Sequence, residues 1–214
     1  MQAASEGVIK FRLEHAAGPL PGGADLAPLQ RWFCVCRALD LIGRHPQRYQ
    51  GAAYGNISLR ADRGFLVTGT QTGAKPALEA TDIAWVRSFD IAQNRVASQG
   101  PARPSSESLT HGQLYALDPA IGAVIHVHSP LVWQRREDLA LPITAPQAAY
   151  GTPEMAQEVE RLMRLALIRE NGVICMGGHE DGILVFARTP DQAGYRLLQT
   201  YRLACEAREP ADRA

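Results

Sequence analysis

The sequence predicts an α/β fold in which one mixed sheet is covered by helices. Short apolar-alternating segments return on themselves through hairpin turns, and helical stripes fall between them at irregular intervals. A doubly wound parallel sheet would instead alternate strand and helix throughout. Size agrees: 214 residues, 46% of them hydrophobic, suffice for one domain with a full core.

The elements follow in order. Residues 1–24 are rich in Gly and Pro and predict an extension packing on the surface, with one short strand at 8–12. The main domain is placed at 25–208, with a disordered tail at 209–214. Between 25 and 43, Leu26, Leu29, Trp32, Phe33, Cys36, Leu39 and Leu41 approximate a helical stripe, capped by Asp25 and stopped by Gly43. Residues 56–60 and 64–68 alternate around Ala61-Asp62-Arg63 and predict a hairpin. Strands at 83–89 and 95–98 come next, then a helix capped by Ser105 or Ser106 that runs to about Leu117 and closes at Asp118-Pro119. Residues 123–128 form a buried strand entered through Gly122. Pro153 opens one long helix to about Arg169. Strands at 173–176 and 183–187 flank a Gly-rich turn, and Thr189-Pro190-Asp191 starts a last helix to about Glu206. Trp85 and Trp133 are assigned to the core.

Composition excludes several classes. With 22 basic and 22 acidic residues there is no global attraction to nucleic acid or an anionic membrane. The first ten residues lack a cationic segment followed by an apolar run, so no secretory signal is expected. No apolar stretch approaches the roughly 20 residues of a membrane span. Cys34, Cys36, Cys175 and Cys205 contain no CxxC pair and fit small apolar positions in a reduced, cytoplasmic protein.

Chemistry concentrates in Ile125-His126-Val127-His128. Side chains alternate along a strand, so both imidazoles share a face, roughly 7 Å apart along the backbone. Two imidazoles side by side on a rigid strand are half of a divalent metal site. Glu107, upstream, supplies an acid or base, and His179 in the turn 177–182 offers a third nitrogen. Three neutral nitrogens with an open position make a catalytic zinc arrangement. A lone histidine is more often an ordinary surface or core residue, and His15, His45 and His111 receive that assignment. The plain alternative for His126 and His128 is hydrogen bonding to neighbours, and the company of Glu107 and His179 weighs against it. A structural zinc site would need a fourth protein ligand, and no cysteine is suitably spaced. A cupin would need a glutamate shortly after the pair, where Ser129-Pro130-Leu131-Val132 stands.

Upstream loops offer donors for a phosphate or polyol. They are Asn56 after Gly55, Thr72 and Gly73 in the loop 68–73, and Ser105 and Ser106 before a helix N-terminus. Each alone is ordinary turn chemistry. Lys75 is the nearest cation, with solvated surface charge as its simple role. No GxxxxGK[ST] run is present.

The order Gly55-Asn56-Ile57-Ser58, Thr70 to Gly73, Ser105-Ser106-Glu107 and His126-Val127-His128 resembles the class II aldolase/adducin-like family over about residues 26–205. The resemblance implies a three-layer α/β/α sandwich around a mixed, mostly antiparallel sheet. It implies a homotetramer with active sites between neighbours, a small sugar or sugar-phosphate substrate, and zinc or another divalent transition metal on His126, His128 and a later histidine. Glu107 is implied as acid/base, with Asn56, Thr72, Gly73, Ser105 and Ser106 contacting the substrate phosphate or hydroxyls. The family's third histidine directly precedes a glycine. Here Asp181 holds that place, and His179 is preferred because imidazole suits the metal better. Tyr150 is the nearest candidate for the family's tyrosine proton donor. The expected activity is a metal-dependent carbon–carbon lyase acting through an enediolate. Epimerase or dehydratase chemistry on the same scaffold and a non-enzymatic adducin-like interaction domain are the alternatives.

Overall fold

The computed structural model describes residues 7–207, so the tail expected at 209–214 lies outside the described residues. The first half contains β1 (Arg12–Ala16), α1 (Ala27–Ala38), β2 (Gly43–Arg44), β3 (Ala53–Tyr54), β4 (Asn56–Arg60), β5 (Phe65–Thr68), β6 (Ile83–Asp90) and β7 (Arg95–Gln99). The second half contains α2 (Ser108–Leu117), β8 (Ala123–His128), α3 (Pro130–Gln134), α4 (Pro153–Met163), α5 (Ala166–Asn171), β9 (Val173–Cys175), β10 (Gly182–Ala187) and α6 (Pro190–Glu206). Eight strands form one sheet in the order β1-β7-β6-β5-β4-β8-β10-β9, and β2 pairs with β3 beside it. Only β1 and β7 run parallel; every other neighbouring pair in the main sheet is antiparallel.

Helices cover both faces. On one, Leu29, Trp32, Phe33 and Cys36 of α1, Val132 of α3, and Ala193, Leu197 and Ala204 of α6 pack on Ile57, Ile125, Val127, Ile183 and Val185. On the other, Leu109 and Leu114 of α2, Met155, Val159 and Leu162 of α4, and Ile168 of α5 pack on Phe65, Val67, Val124, Leu184 and Phe186. The result is the expected α/β/α sandwich with a mixed, mostly antiparallel sheet.

Several expected boundaries move. Residues 8–12 do not form the first strand; it starts at Arg12, where it pairs with Arg95, so part of the N-terminal extension is an edge strand of the sheet. The helix expected to end at Gly43 stops after Ala38, because Asp40 takes a left-handed conformation and Leu41 N–H donates back to Cys36 O. Asp25 still accepts a hydrogen bond from Ala27 N–H. Neither Ser105 nor Ser106 is the α2 cap residue: Glu107 occupies that place, and Ser105 Oγ accepts from Glu107 N–H one turn early. The long helix expected from Pro153 breaks at Leu165, whose extended backbone separates α4 from α5. Ser129 caps α3, a short helix that the pattern did not reveal. Trp85 and Trp133 are only partly buried against the core.

Strand β8 lies between β4 and β10, so both its edges are paired. Ile125, fully buried and directly before His126, points into the α1/α6 core while both histidines take the opposite face. Ile125→Ala is expected to lower unfolding free energy by about 2–5 kcal/mol in urea titrations. An unchanged midpoint would contradict the assigned alternation.

Candidate metal and acid–base site

His126 and His128 project from the last half of β8 onto the α2/α4 side of the sheet, and both are fully buried. Across the strand pairs, His126 stands opposite Asn56 of β4 and Leu184 of β10, and His128 stands opposite Gly182. Gly182 follows the turn from β9, so the turn residues arrive beside His128. Met176 N–H donates to Gly182 O, and His179 N–H to Met176 O, which curls the turn inward. Gly177 and Gly178 permit this. A Cβ there would come within 2.1 Å of Thr144 O and 1.9 Å of Ala148 O, so any side chain would push the segment 144–150 away.

One ligand atom from each of His126, His128 and His179 lies within 4.8 Å of the others. The rings of His126 and His179 stack with centroids 5.0 Å apart, and those of His128 and His179 meet edge-on at 4.6 Å. His126 Nδ1 lies 3.2 Å from Ile183 O. A carbonyl only accepts, so Nδ1 carries the proton and Nε2 keeps its lone pair, buried and with no hydrogen-bond partner in the protein. Burial, joined by the His179 charge, holds the pKa of both His126 and His128 well below the usual imidazole value. Neutral nitrogens crowded around one point suit a divalent metal ion, so the donor set fits one.

His179, the candidate third ligand, is the residue that joins the two β8 histidines. Asp181 instead accepts a hydrogen bond from Tyr49 O–H at 2.6 Å and lies outside the nitrogen cluster. Glu107 reaches the site from the N-cap of α2, fully buried. Its Oε1 lies 3.5 Å from His179 Nδ1, and its Oε2 accepts from Thr110 O–H at 3.1 Å. Tyr150 stacks on His179 with centroids 4.6 Å apart. Its hydroxyl accepts from Val8 N–H, and Lys10 Nζ sits 3.4 Å from its ring centre.

The expected phosphate donors gather at the Asn56 end. Asn56, Thr72, Ser105 and Ser106 are buried, and Asn56 Oδ1 has no hydrogen-bond partner. The loops holding the others are tied together: Ser105 N–H donates to Thr68 O and Thr70 N–H to Arg103 O. Thr72 O–H already donates to Gly69 O, which leaves its lone pairs but not its proton for a ligand. A Cβ at Gly73 would lie 2.6 Å from Tyr54 O, so glycine lets this loop reach β3. Lys75 pairs with Asp82, whose carboxylate also accepts from Glu79 N–H, so this cation holds a turn.

Tyr49 carries no signal in the sequence. Its ring meets His128 edge-on at 4.5 Å, and Arg48 donates to its hydroxyl. It lies in a polar stretch without periodicity, so nothing local marks it. A cavity of about 480 Å³ lined in part by Leu59, Leu66 and Trp85 opens on the sheet face away from the histidines.

Comparison with known proteins agrees with this architecture. The family model described as "Class II Aldolase and Adducin N-terminal domain" matches residues 36–207, and the chain belongs to that family. Curated relatives include a methylthioribulose-1-phosphate dehydratase of Gluconobacter oxydans (strain 621H), 37% identical over 102 residues, which are 47% of this chain and 47% of the relative. A 5-methylthioribulose-1-phosphate/5-deoxyribulose-1-phosphate aldolase of Rhodospirillum rubrum is 37% identical over 76 residues, 36% of this chain and 31% of that protein. The chain thus spans about half or less of the length of these relatives. The l-fuculose-1-phosphate aldolase of Thermus thermophilus shares the fold, with a TM-score of 0.58 at 20% identity over 86% of this chain and 96% of that one.

Two outcomes test the site. His179→Ala is expected to abolish stoichiometric metal in elemental analysis, whereas Asp181→Asn keeps it; the reverse pattern would give the third position to Asp181. The second concerns acid. His111, fully buried, has its pKa lowered to about 3 by burial. The unfolded chain therefore binds its proton first, so the stabilisation is complete above about pH 6.5 and is lost as pH falls towards 3. Metal-stripped protein should show a falling urea midpoint across that window, with a shallower fall in His111→Asn.

Proposed function

We propose that the protein is a metal-dependent lyase that removes water from a ketose 1-phosphate of the methylthioribulose 1-phosphate type. The observation that carries this is the fully buried Glu107 carboxylate beside the three-histidine cluster, in a chain whose named relatives include several methylthioribulose-1-phosphate dehydratases.

His126, His128 and His179 would hold zinc or another divalent transition metal. When bound, such an ion polarises the substrate carbonyl and stabilises negative charge on its oxygen. Glu107 takes the proton from the carbon beside that carbonyl. The hydroxyl on the next carbon leaves with its bonding electrons, and the same carboxylate returns the proton to it as water. Thr110 and His179 fix the two carboxylate oxygens for this transfer. Asn56, Thr72, Gly73, Ser105 and Ser106 receive the phosphate and hydroxyls. Tyr150, stacked on His179, walls the site and places a phenol near the departing group. Tight packing around the site excludes water and strengthens each of these electrostatic contacts.

Carbon–carbon cleavage is the second reading, favoured by the Rhodospirillum rubrum aldolase match. Both reactions start from the same polarised carbonyl, so the substituent positioned opposite Glu107 decides between them. An adducin-like interaction domain has no use for a buried, neutral imidazole cluster, which weighs against that alternative. A reduced cytoplasmic setting is supported by four free cysteines, two of them buried. Among the described residues no helix is long and apolar enough to cross a membrane. The reading includes a homotetramer.

The test is turnover of methylthioribulose 1-phosphate, following diketone formation and, separately, aldehyde release. Glu107→Gln is expected to lower kcat by about 10²–10⁴-fold with metal retained. Aldehyde without diketone would select the aldolase reading. No turnover of any ketose phosphate by metal-loaded wild type would defeat both.

A further inference from the structure

Helix α2 presents Glu107, His111 and Tyr115 in one stripe, because residues four apart share a helix face. All three point at the sheet and are buried. Glu107 belongs to the site, whereas His111 and Tyr115 both meet one atom on a neighbouring strand. Ser58 Oγ lies 2.8 Å from His111 Nδ1 and 2.8 Å from the Tyr115 hydroxyl. A serine hydroxyl can donate to one partner while accepting from the other, so both bonds form at once.

Ser58 sits on β4, two residues beyond Asn56, which stands opposite His126, while Ser58 itself stands opposite Val124. The hydroxyl therefore joins the helix that carries the carboxylate to the strand pair that carries the imidazoles. Leu109 and Leu114 add apolar, non-directional contacts, and at the far end of α2 the Arg60 guanidinium of β4 donates to Tyr115 O and Asp118 O. The apolar contacts hold the helix down and Arg60 ties its C-terminal end, while the Ser58 pair is the directional side-chain link to the sheet on the Glu107 side of that tie. One residue of helix rise is 1.5 Å, a large fraction of the 3.5 Å between Glu107 Oε1 and His179 Nδ1.

We propose that Ser58, His111 and Tyr115 form a positioning brace that sets the height of Glu107 against the three histidines. They are positioning residues, since none touches the reacting atoms. The inference rests on the acid–base role of Glu107 under the proposed function, but its geometric part stands apart from any activity. Thr110 complements the brace from within the helix by holding Glu107 Oε2.

The experiment compares Ser58→Ala, Tyr115→Phe, His111→Leu and His111→Asn, all as full-length, metal-loaded protein. Asn places an amide where His111 has Nδ1 and so keeps the bond to Ser58, whereas Leu removes it. Hydrogen exchange of the peptide spanning 105–111 reads the brace without any turnover. Faster exchange there in Ser58→Ala and His111→Leu, restored in His111→Asn, supports it. With substrate, kcat is expected to fall about 10–100-fold with KM nearly unchanged in the same variants and to recover in His111→Asn. If kcat falls only by the fraction of unfolded protein, or if exchange at 105–111 stays at the wild-type rate, the brace is refuted. If exchange responds while wild type turns over no ketose phosphate, the functional reading fails and the brace survives as geometry. Should His111→Leu not fold, Tyr115→Phe, which removes one hydroxyl and little volume, carries the same two readouts.

Discussion

The two-residue repeat of β8 is the constraint on which the rest depends. Ile125 and Val127 fall into one core while His126 and His128 fall into the other, and a one-residue slip would exchange them. Such a slip would bury two imidazoles among Leu29, Phe33 and Leu197 and take them out of the cluster on the α2 face. Pairing on both edges fixes the register, with Asn56 set against His126 on one side and Gly182 against His128 on the other. The site is therefore a consequence of how β8 is enclosed, and its neighbours inherit their positions from it.

Enclosure has a cost, because polar groups removed from water must find partners or lose their charge. The histidines answer by staying neutral, and His126 further donates Nδ1–H to Ile183 O. Neutrality is the state in which an imidazole binds a metal, so burial prepares the site as well as taxing the fold. Glu107 is held by Thr110 and His179. Asp181, which could have competed for the third position, is occupied by Tyr49. Strongly polar residues thus sit together in a dry interior, the kind of environment in which electrostatic contacts are strongest.

Proteins similar to this chain carry names as different as dehydratase and aldolase, and the proposed function accommodates both. Polarising a carbonyl and moving one proton beside it are common to both reactions. Under the proposed function, the loops 69–73 and 103–106 and Tyr150 would orient the substrate over Glu107 and so select between them. Fold therefore constrains the first chemical event more tightly than the product.

The sequence by itself determined the strands with strong alternation, the helix starts at Pro153 and Thr189, and the candidates His126, His128 and Glu107. These signals are local: a two-residue repeat, a cap, an i, i+2 histidine pair. It did not determine where helices end, because Asp40 and Leu165 leave the helical region for reasons of packing that no neighbouring residue announces. Nor did it find Tyr49, or assign His111 beyond an ordinary core histidine. Only the tertiary structure brings His179, and not Asp181, into the cluster with His126 and His128, since that depends on how a turn released by Gly177 and Gly178 curls against the segment 144–150. Long-range contacts of this kind join residues far apart in the chain, and their geometry exists only once the sheet has formed around β8.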